Sequence, residues 1–279
     1  MRVRRFRSAA GFLAAAEPDL VRAEVENNLI LGSAHDIARR IRPAALEPYF
    51  AVVLDGERVV MAAFRTLYGK VGVTRAFRTD ACRPLAEDLL DACPDASAVI
   101  GPVPTADEFA AVAAARVSRR PTLHSLQRIH ELSAVTLPRP PAPGTLRLAR
   151  AEDADLLTRW TDGFFASIRE PGDSRTLVLT RLAEEALFVW DAGGGAVSMA
   201  AWAGRTPRTV RVAHVYTPPE FRGRGYATSA VAALSRRLLD EGAVRCCLYT
   251  DVANPTSNAI YRRIGYAPVC DVARYEFEA

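Results

Sequence analysis

No regular element can run through residues 137–144. The stretch Leu137-Pro-Arg-Pro-Pro-Ala-Pro-Gly144 places four prolines and a glycine in eight positions. Each proline lacks an amide donor and fixes φ, so neither a helix interior nor a central strand can continue through it. The 279 residues are thereby cut into two parts of ordinary domain size. The expected division is 1–138, a semi-rigid linker at 139–144, and 145–279.

Both parts hold enough apolar residue for a core. Hydrophobic residues make up 49% and charged residues 24% of the chain, which excludes a disordered chain. No apolar run is long enough to span a bilayer. The basic start Met-Arg-Val-Arg-Arg-Phe-Arg leads to Glu17, Pro18 and Asp19 rather than to an apolar h-region. A signal peptide is not expected, and the default location is cytoplasmic.

The five cysteines, Cys82, Cys93, Cys246, Cys247 and Cys270, form no CxxC pair. They read as buried reduced thiols, with no metal site, and Cys246 and Cys247 should face opposite sides of a strand. The net charge of +4 comes almost wholly from arginine, since Lys70 is the single lysine. A chain-wide arginine habit weakens any nucleic-acid reading, and aromatic residues do not interleave with the basic ones.

The pattern of apolar positions and turn residues predicts alternating elements. In the first part, helix is expected over Leu13–Ile30 and Ile37–Ile41. A hairpin of Tyr49–Leu54 and Arg58–Thr66 turns at Asp55-Gly56. Then come a helix at Arg83–Ala92, a strand at Ala98–Ile100, a helix capped by Thr105 running to Val117, and a strand within Leu123–Val135. The second part reads as strands Thr145–Leu148, Ala186–Trp190, Ala196–Trp202, Thr209–Thr217, Val244–Thr250 and Ala267–Phe277. Its helices are expected from Asp153 to Phe165, at Leu177–Glu185, at Tyr226–Glu241 and at Pro255–Ile264. The fold class is α/β (α+β), with parallel strands joined through helices.

The chemistry concentrates in Val212-Ala-His-Val-Tyr-Thr-Pro-Pro-Glu-Phe-Arg-Gly-Arg-Gly-Tyr-Ala227. A strand ends, Pro218-Pro219 turns, and Arg222-Gly223-Arg224-Gly225 opens a helix. The first N–H groups of a helix have no internal partner and carry partial positive charge. Glycines allow close backbone approach, so the junction suits a pyrophosphate. Ala227, Ala230, Val231, Leu234 and Leu238 give this helix an apolar face that fixes the loop on the sheet. The G-x-G-x-x-G dinucleotide spacing fails, because Thr228 and Ser229 stand where its third glycine would be. Further on, Asn254 suits a helix cap with Pro255 at the first helical position. Asn254, Asn258 and Tyr261 share one face at i, i+4, i+7.

Arg222-Gly-Arg-Gly-Tyr-Ala227 resembles the R/Q-x-x-G-x-G/A signature of the GNAT acetyltransferase superfamily. The run with Asn254, Asn258, Tyr261, Gly265 and Tyr266 is similar to that family's N-x-x-A-x-x-x-Y-x-x-x-G-F/Y segment. The resemblance covers about 135 residues of the second part. It implies a mixed central sheet flanked by helices, and an N-acyltransferase that uses acetyl-CoA as co-substrate and a small-molecule or peptide amine as acceptor. Backbone groups near Val215, Tyr216 and Thr217 would hold the pantetheine arm and polarise the thioester. Residues Arg222, Gly223, Arg224, Gly225, Tyr226 and Ala227 would hold the pyrophosphate, with Asn254 and Asn258 at the cofactor and Tyr261 as proton donor to the leaving thiolate. The rival reading is a CoA-binding sensor or scaffold without turnover.

For the general base, His214, Glu220, Asp251 and a water chain all stay open. His35, His124 and His130 read as structural or surface residues. The strand and helix order of 1–138 loosely echoes 145–279, which suggests tandem GNAT-like units similar in plan to mycothiol synthase. The corresponding stretch Arg75-Ala-Phe-Arg-Thr-Asp-Ala-Cys-Arg-Pro84 has no glycine, so the first unit is expected not to bind CoA but to shape the acceptor pocket or a homodimer contact.

Overall fold

A computed structural model describes residues 1–39, 49–65, 69–117 and 120–278. The first part contributes β1 (Arg2–Phe6), α1 (Ala9–Leu20), α2 (Asn28–Ala38), β2 (Phe50–Asp55), β3 (Arg58–Arg65), β4 (Lys70–Val73), α3 (Cys82–Ala92), β5 (Ala98–Pro102), α4 (Val103–Val117) and β6 (Arg120–Leu132). The second contributes β7 (Thr145–Leu148), α5 (Ala154–Ile168), α6 (Ser174–Ala183), β8 (Leu187–Asp191), β9 (Ala196–Ala203), β10 (Thr209–Tyr216), α7 (Tyr226–Asp240), β11 (Arg245–Asp251), α8 (Pro255–Arg263) and β12 (Ala267–Glu278).

The twelve strands form one sheet in the order β1-β2-β3-β4-β5-β12-β6-β11-β10-β9-β8-β7. The order reads alike from both ends: a five-strand run, a central pair, and a second five-strand run. In each run the innermost two strands are parallel, β4 with β5 and β10 with β11, and a helix joins them. The central pair is exchanged. β12, the last strand of the chain, pairs with β5 from Val272↔Pro102 to Glu276↔Ala98. β6, from the first part, pairs with β11 from Cys246↔Leu132 to Asp251↔Gln127. The two cross-paired strands also bond to each other, from Ala267↔Glu131 to Glu278↔Arg120. Each part thus completes the other's sheet.

Helices cover both faces. Toward the first edge, α3 and α4 bury Leu85, Leu89, Phe109 and Ala113 on one face, while α1 and α2 bury Phe12, Leu31 and Ala34 on the other. Toward the second edge, α7 packs Val231, Leu234 and Leu238 on one face, and α5 packs Leu157 and Trp160 on the other. Cys246 and Cys247 enter different clusters on opposite faces, as alternation requires.

Several boundaries moved. The expected single helix Leu13–Ile30 is interrupted at residues 21–27 by a 3-10 turn, Val21–Ala23, and the turn residues that follow it. Glu24 is buried and accepts from the Thr206 hydroxyl and the Arg208 N–H, so the break provides a buried carboxylate with partners across the chain. The piece Ile37–Ile41 is the end of α2, and its residues 40–41, like Thr66, lie outside the described residues. β4 was not foreseen. Thr105 does not cap α4: the helix starts at Val103, and the Thr105 hydroxyl accepts from Ala76 N–H instead. Asp153 precedes α5 without capping it; its carboxylate holds Arg147 and the Arg150 N–H.

The exchange predicts that neither 1–138 nor 145–279 folds alone, because β5 and β11 would each lose a neighbour and expose an edge. Either fragment should show no cooperative thermal transition by circular dichroism, and mixing the two should restore one. A cooperative melt from a single fragment would count against this interdependence.

Candidate functional site

β10 and β11 pair only from Thr209↔Arg245 to Arg211↔Cys247. Both strands continue, to Tyr216 and Asp251, without further mutual pairing among the described residues. The sheet therefore opens into a wedge whose walls carry unpaired backbone groups. A β-bulge between Ala213 and Tyr216 bends β10 away from its straight course. At its centre His214 has φ +51°, a left-handed conformation uncommon for a non-glycine residue.

The bulge sorts the side chains. His214 packs edge-on against Phe164 of α5 at 5.6 Å, while Val215 joins the cluster on the α7 face. The opposite facing of His214 and Val215 expected from alternation survives the bulge. The Tyr216 ring packs on α5 at Gly163, where a Cβ would come within 2.5 Å of its hydroxyl. The Thr217 and Ser198 hydroxyls bond at 2.8 Å, which fixes the end of the strand.

Beyond the strand, residues 219–221 form a 3-10 turn and α7 begins after Gly225. Gly223 and Gly225 have φ of +77° and +78°. Nothing lies within 4 Å of a Cβ placed on Gly223, and the position beside Gly225 is nearly as open. No side chain caps α7, so its first N–H groups face an accessible loop and can receive an anion. Arg222 folds back, donating from Nε to the Thr217 carbonyl at 2.9 Å and lying over the Tyr216 ring. It fastens the loop to the strand, while Arg224 stays exposed. The side chain of Tyr226 is buried beside Trp190, and Ala227 is half-buried, so both offer backbone only.

At the far wall, the Asn254 carboxamide caps α8 by accepting from Ser257 N–H. Asn258 donates to the Asp251 and Asn254 carbonyls and accepts from the Thr250 hydroxyl at 2.7 Å. Its amide is spent on tying the end of β11 to the start of α8. Tyr261 follows on the same helix, its ring edge-on to Tyr266 at 6.0 Å. Its hydroxyl has no partner among the described residues. Burial pushes the Tyr261 phenol up to about 12.

Of the remaining ionisable groups, Glu220 is exposed in the 3-10 turn, and Asp251 accepts from Ala253 N–H. His130 is buried on β6, where burial lowers its pKa. His35 meets Glu17 at 2.6 Å, and His124 lies 3.4 Å from Glu276. Past the end of β11, the segment leaving α5 reaches across to the first part: Glu170 pairs with Lys70 at 2.6 Å and with Arg274. Burial lowers the Lys70 pKa. On the α7 side, residues 135–143 lie along α7 and α8 and enclose a cleft of about 1020 Å³.

The matching position of the first part is shut. A Cβ on Gly101 would lie 2.4 Å from Val73 Cγ2 and 2.7 Å from the Val73 carbonyl oxygen, so β4 and β5 are pressed together where β10 and β11 part. No helix in the described residues is long and apolar enough to cross a membrane, and no group of three or more His, Cys, Asp or Glu gathers there to hold a metal.

Residues 192–275 match the family model described as FR47-like protein. A mycothiol acetyltransferase of Corynebacterium aurimucosum is 30% identical over 92 residues, a segment spanning 30% of this chain and 30% of that protein's length. Among solved structures, a Drosophila protein superposes with a TM-score of 0.69 at 14% identity, covering 99% of this chain and 98% of that one. A GCN5-related N-acetyltransferase from Sphaerobacter thermophilus gives 0.62 at 14%, covering 98% and 94%. A tandem GNAT protein from the clavulanic acid biosynthesis pathway gives 0.57 at 14%, covering 98% of both chains.

The Tyr261 phenol should be visible in an alkaline titration. Its folded-state pKa lies above the ordinary value near ~10, so the folded protein holds this proton more tightly than the unfolded chain. The associated stability is complete below about pH 10 and is lost as pH rises toward about 12. The ultraviolet difference between wild type and Tyr261→Phe should place this ionisation near the upper value. A midpoint near ~10 would show that the phenol is solvated.

Proposed function

We propose that this chain, a member of the GNAT superfamily with the fold of its tandem proteins, transfers an acetyl group from acetyl-CoA to a primary amine. The observation that carries the reading is the wedge between β10 and β11 combined with an uncapped glycine turn at the start of α7. The pyrophosphate rests on the N–H groups of residues 222–227, where the two left-handed glycines keep the approach open. The pantetheine arm enters the wedge and bonds to the free backbone groups of Val215, Tyr216 and Thr217.

The bulge supports the next step. Turning His214 into the left-handed region takes backbone groups out of the β9 ladder, and an N–H aimed into the wedge can stabilise the oxyanion of a tetrahedral intermediate. The neutral amine attacks the thioester carbon, the C–N bond forms, and the C–S bond breaks. The sulfur leaves as thiolate and takes a proton from Tyr261, while the nitrogen, cationic after attack, loses one proton to water, and a proton returned from solvent restores the phenol. A phenol raised to about 12 stays protonated at neutral pH, so it is a donor rather than a base. Asn254 and Asn258 serve the site indirectly, by setting α8 so that Tyr261 faces the wedge. Residues 145–279 carry the reaction, and 1–138 forms a non-catalytic unit: the closed contact of Val73 with Gly101 leaves no room for a pantetheine between β4 and β5.

Tyr261→Phe should lower kcat by about 10- to 100-fold while the Kd for acetyl-CoA changes by less than about twofold. Acetyl transfer to a panel of amines, read by thiol release, measures the first, and calorimetry the second. Unchanged kcat would remove Tyr261 from the reaction, and tight CoA binding without any amine-dependent release would favour a sensor. Gly225→Asp puts a side chain at φ +78° and a negative charge at the phosphate cradle. It should weaken CoA binding by more than about 10-fold, and retained affinity would count against the cradle.

A further inference from the structure

The linker is docked, not free. Thr136 N–H donates to the Ile264 carbonyl at 3.0 Å. Ala142 N–H donates to Ser229 Oγ at 2.9 Å, and Trp190 Nε1 donates to the Pro143 carbonyl at 2.8 Å. Ala142 comes close to Gly225, its Cβ 3.8 Å from where a Cβ on that glycine would stand. These anchors hold residues 135–143 as a wall opposite α7 and α8. The cleft of about 1020 Å³ between them begins at the uncapped end of α7.

Four arginines line that cleft: Arg139 from the linker, Arg224 before α7, Arg236 on α7 and Arg263 at the end of α8. Arg236 is held by Asp240. Arg139, Arg224 and Arg263 have no carboxylate or other hydrogen-bond partner among the described residues. Most arginines elsewhere in the chain are paired, as Arg128 is with Asp271 and Arg147 with Asp153. Three unpaired guanidiniums brought to one cleft by three separate segments form a site of positive potential. Their planar donors suit a phosphomonoester.

We infer that the linker forms one wall of the coenzyme site and that Arg139, with Arg224 and Arg263, binds the 3′-phosphate of coenzyme A. The inference rests on the acetyl-CoA reading above, which places the pyrophosphate on the α7 end of the same cleft. From there the nucleotide runs between the linker and the two helices, and its remaining phosphate meets the three arginines. A segment that separates the two parts in sequence thereby supplies specificity for the full coenzyme over its 3′-dephospho form.

Calorimetric titration of the full chain with CoA and with 3′-dephospho-CoA tests this without an acceptor. The wild type should bind CoA at least about 10-fold more tightly, the scale of one charge-assisted phosphate contact. Arg139→Ala and Arg263→Ala should each shrink that ratio to below about threefold by weakening CoA alone. Arg150→Ala, an exposed arginine outside the cleft, should leave the ratio unchanged and so separates local contact from overall charge. Equal binding of the two coenzymes by wild type would overturn the inference while leaving the acetyl-CoA reading intact. So would a ratio unmoved in the cleft variants, or one moved equally by Arg150→Ala. Absence of binding to either coenzyme would overturn both readings.

Discussion

The pairing of β12 with β6 is the constraint on which the molecule turns. It runs the length of both strands, from Ala267↔Glu131 to Glu278↔Arg120, and in it β5 and β11 each find a partner from the other part. With β11 fixed on that side, β10 is free to diverge after three residue pairs, because β11 does not depend on β10 for its remaining hydrogen bonds. A wedge in the middle of a sheet would otherwise leave an edge strand adrift. Here the exchanged strand holds one wall and β9 the other. The opening between them is a property of the sheet, not of mobile loops.

Both parts place a helix between two parallel strands that share three residue pairs, but β10 runs on to Tyr216 beyond its last pair at Arg211, whereas β4 ends at Val73, next to its last pair at Gly72. In the first, Gly101 removes a side chain so that Val73 can press in, and the loop before α3 carries no glycine. The closed part contributes instead β6 to the neighbouring sheet, Glu24 and Asn28 against the β9–β10 turn, and the Lys70–Glu170 pair. Gly32 and Gly204 allow that contact, since a Cβ on Gly32 would fall 2.5 Å from the Gly204 Cα.

What could be read from residues was what depends on local pattern. The Asp55-Gly56 turn between apolar runs and the Arg222–Ala227 junction lie where turn chemistry and helical spacing put them. The cap by Asn254 follows from residue type and position in the same way. Three features were out of reach. β4 is four residues long with a glycine inside, too short for a period to declare itself. The bulge at His214 appears only in the pairing with β9, and nothing in Ala213-His214-Val215 announces it. The strand exchange left no mark, because β6 and β12 have the composition of ordinary strands and pairing partners are a tertiary choice. Tyr261 was legible as a residue, but the burial that raises its phenol pKa was not.

A chain that closes in this way has a consequence for its birth on the ribosome. Synthesis delivers β5 and β6 well over a hundred residues before the strand that belongs between them. Until β12 leaves the exit tunnel, the first part carries a slot whose sides are two strand edges, open to any extended peptide nearby. Vectorial folding, in which an early unit finishes before a later one begins, is therefore denied to it. β12 acts as the keystone, and a chain that stopped before it would hold two unfinished sheets rather than one finished unit.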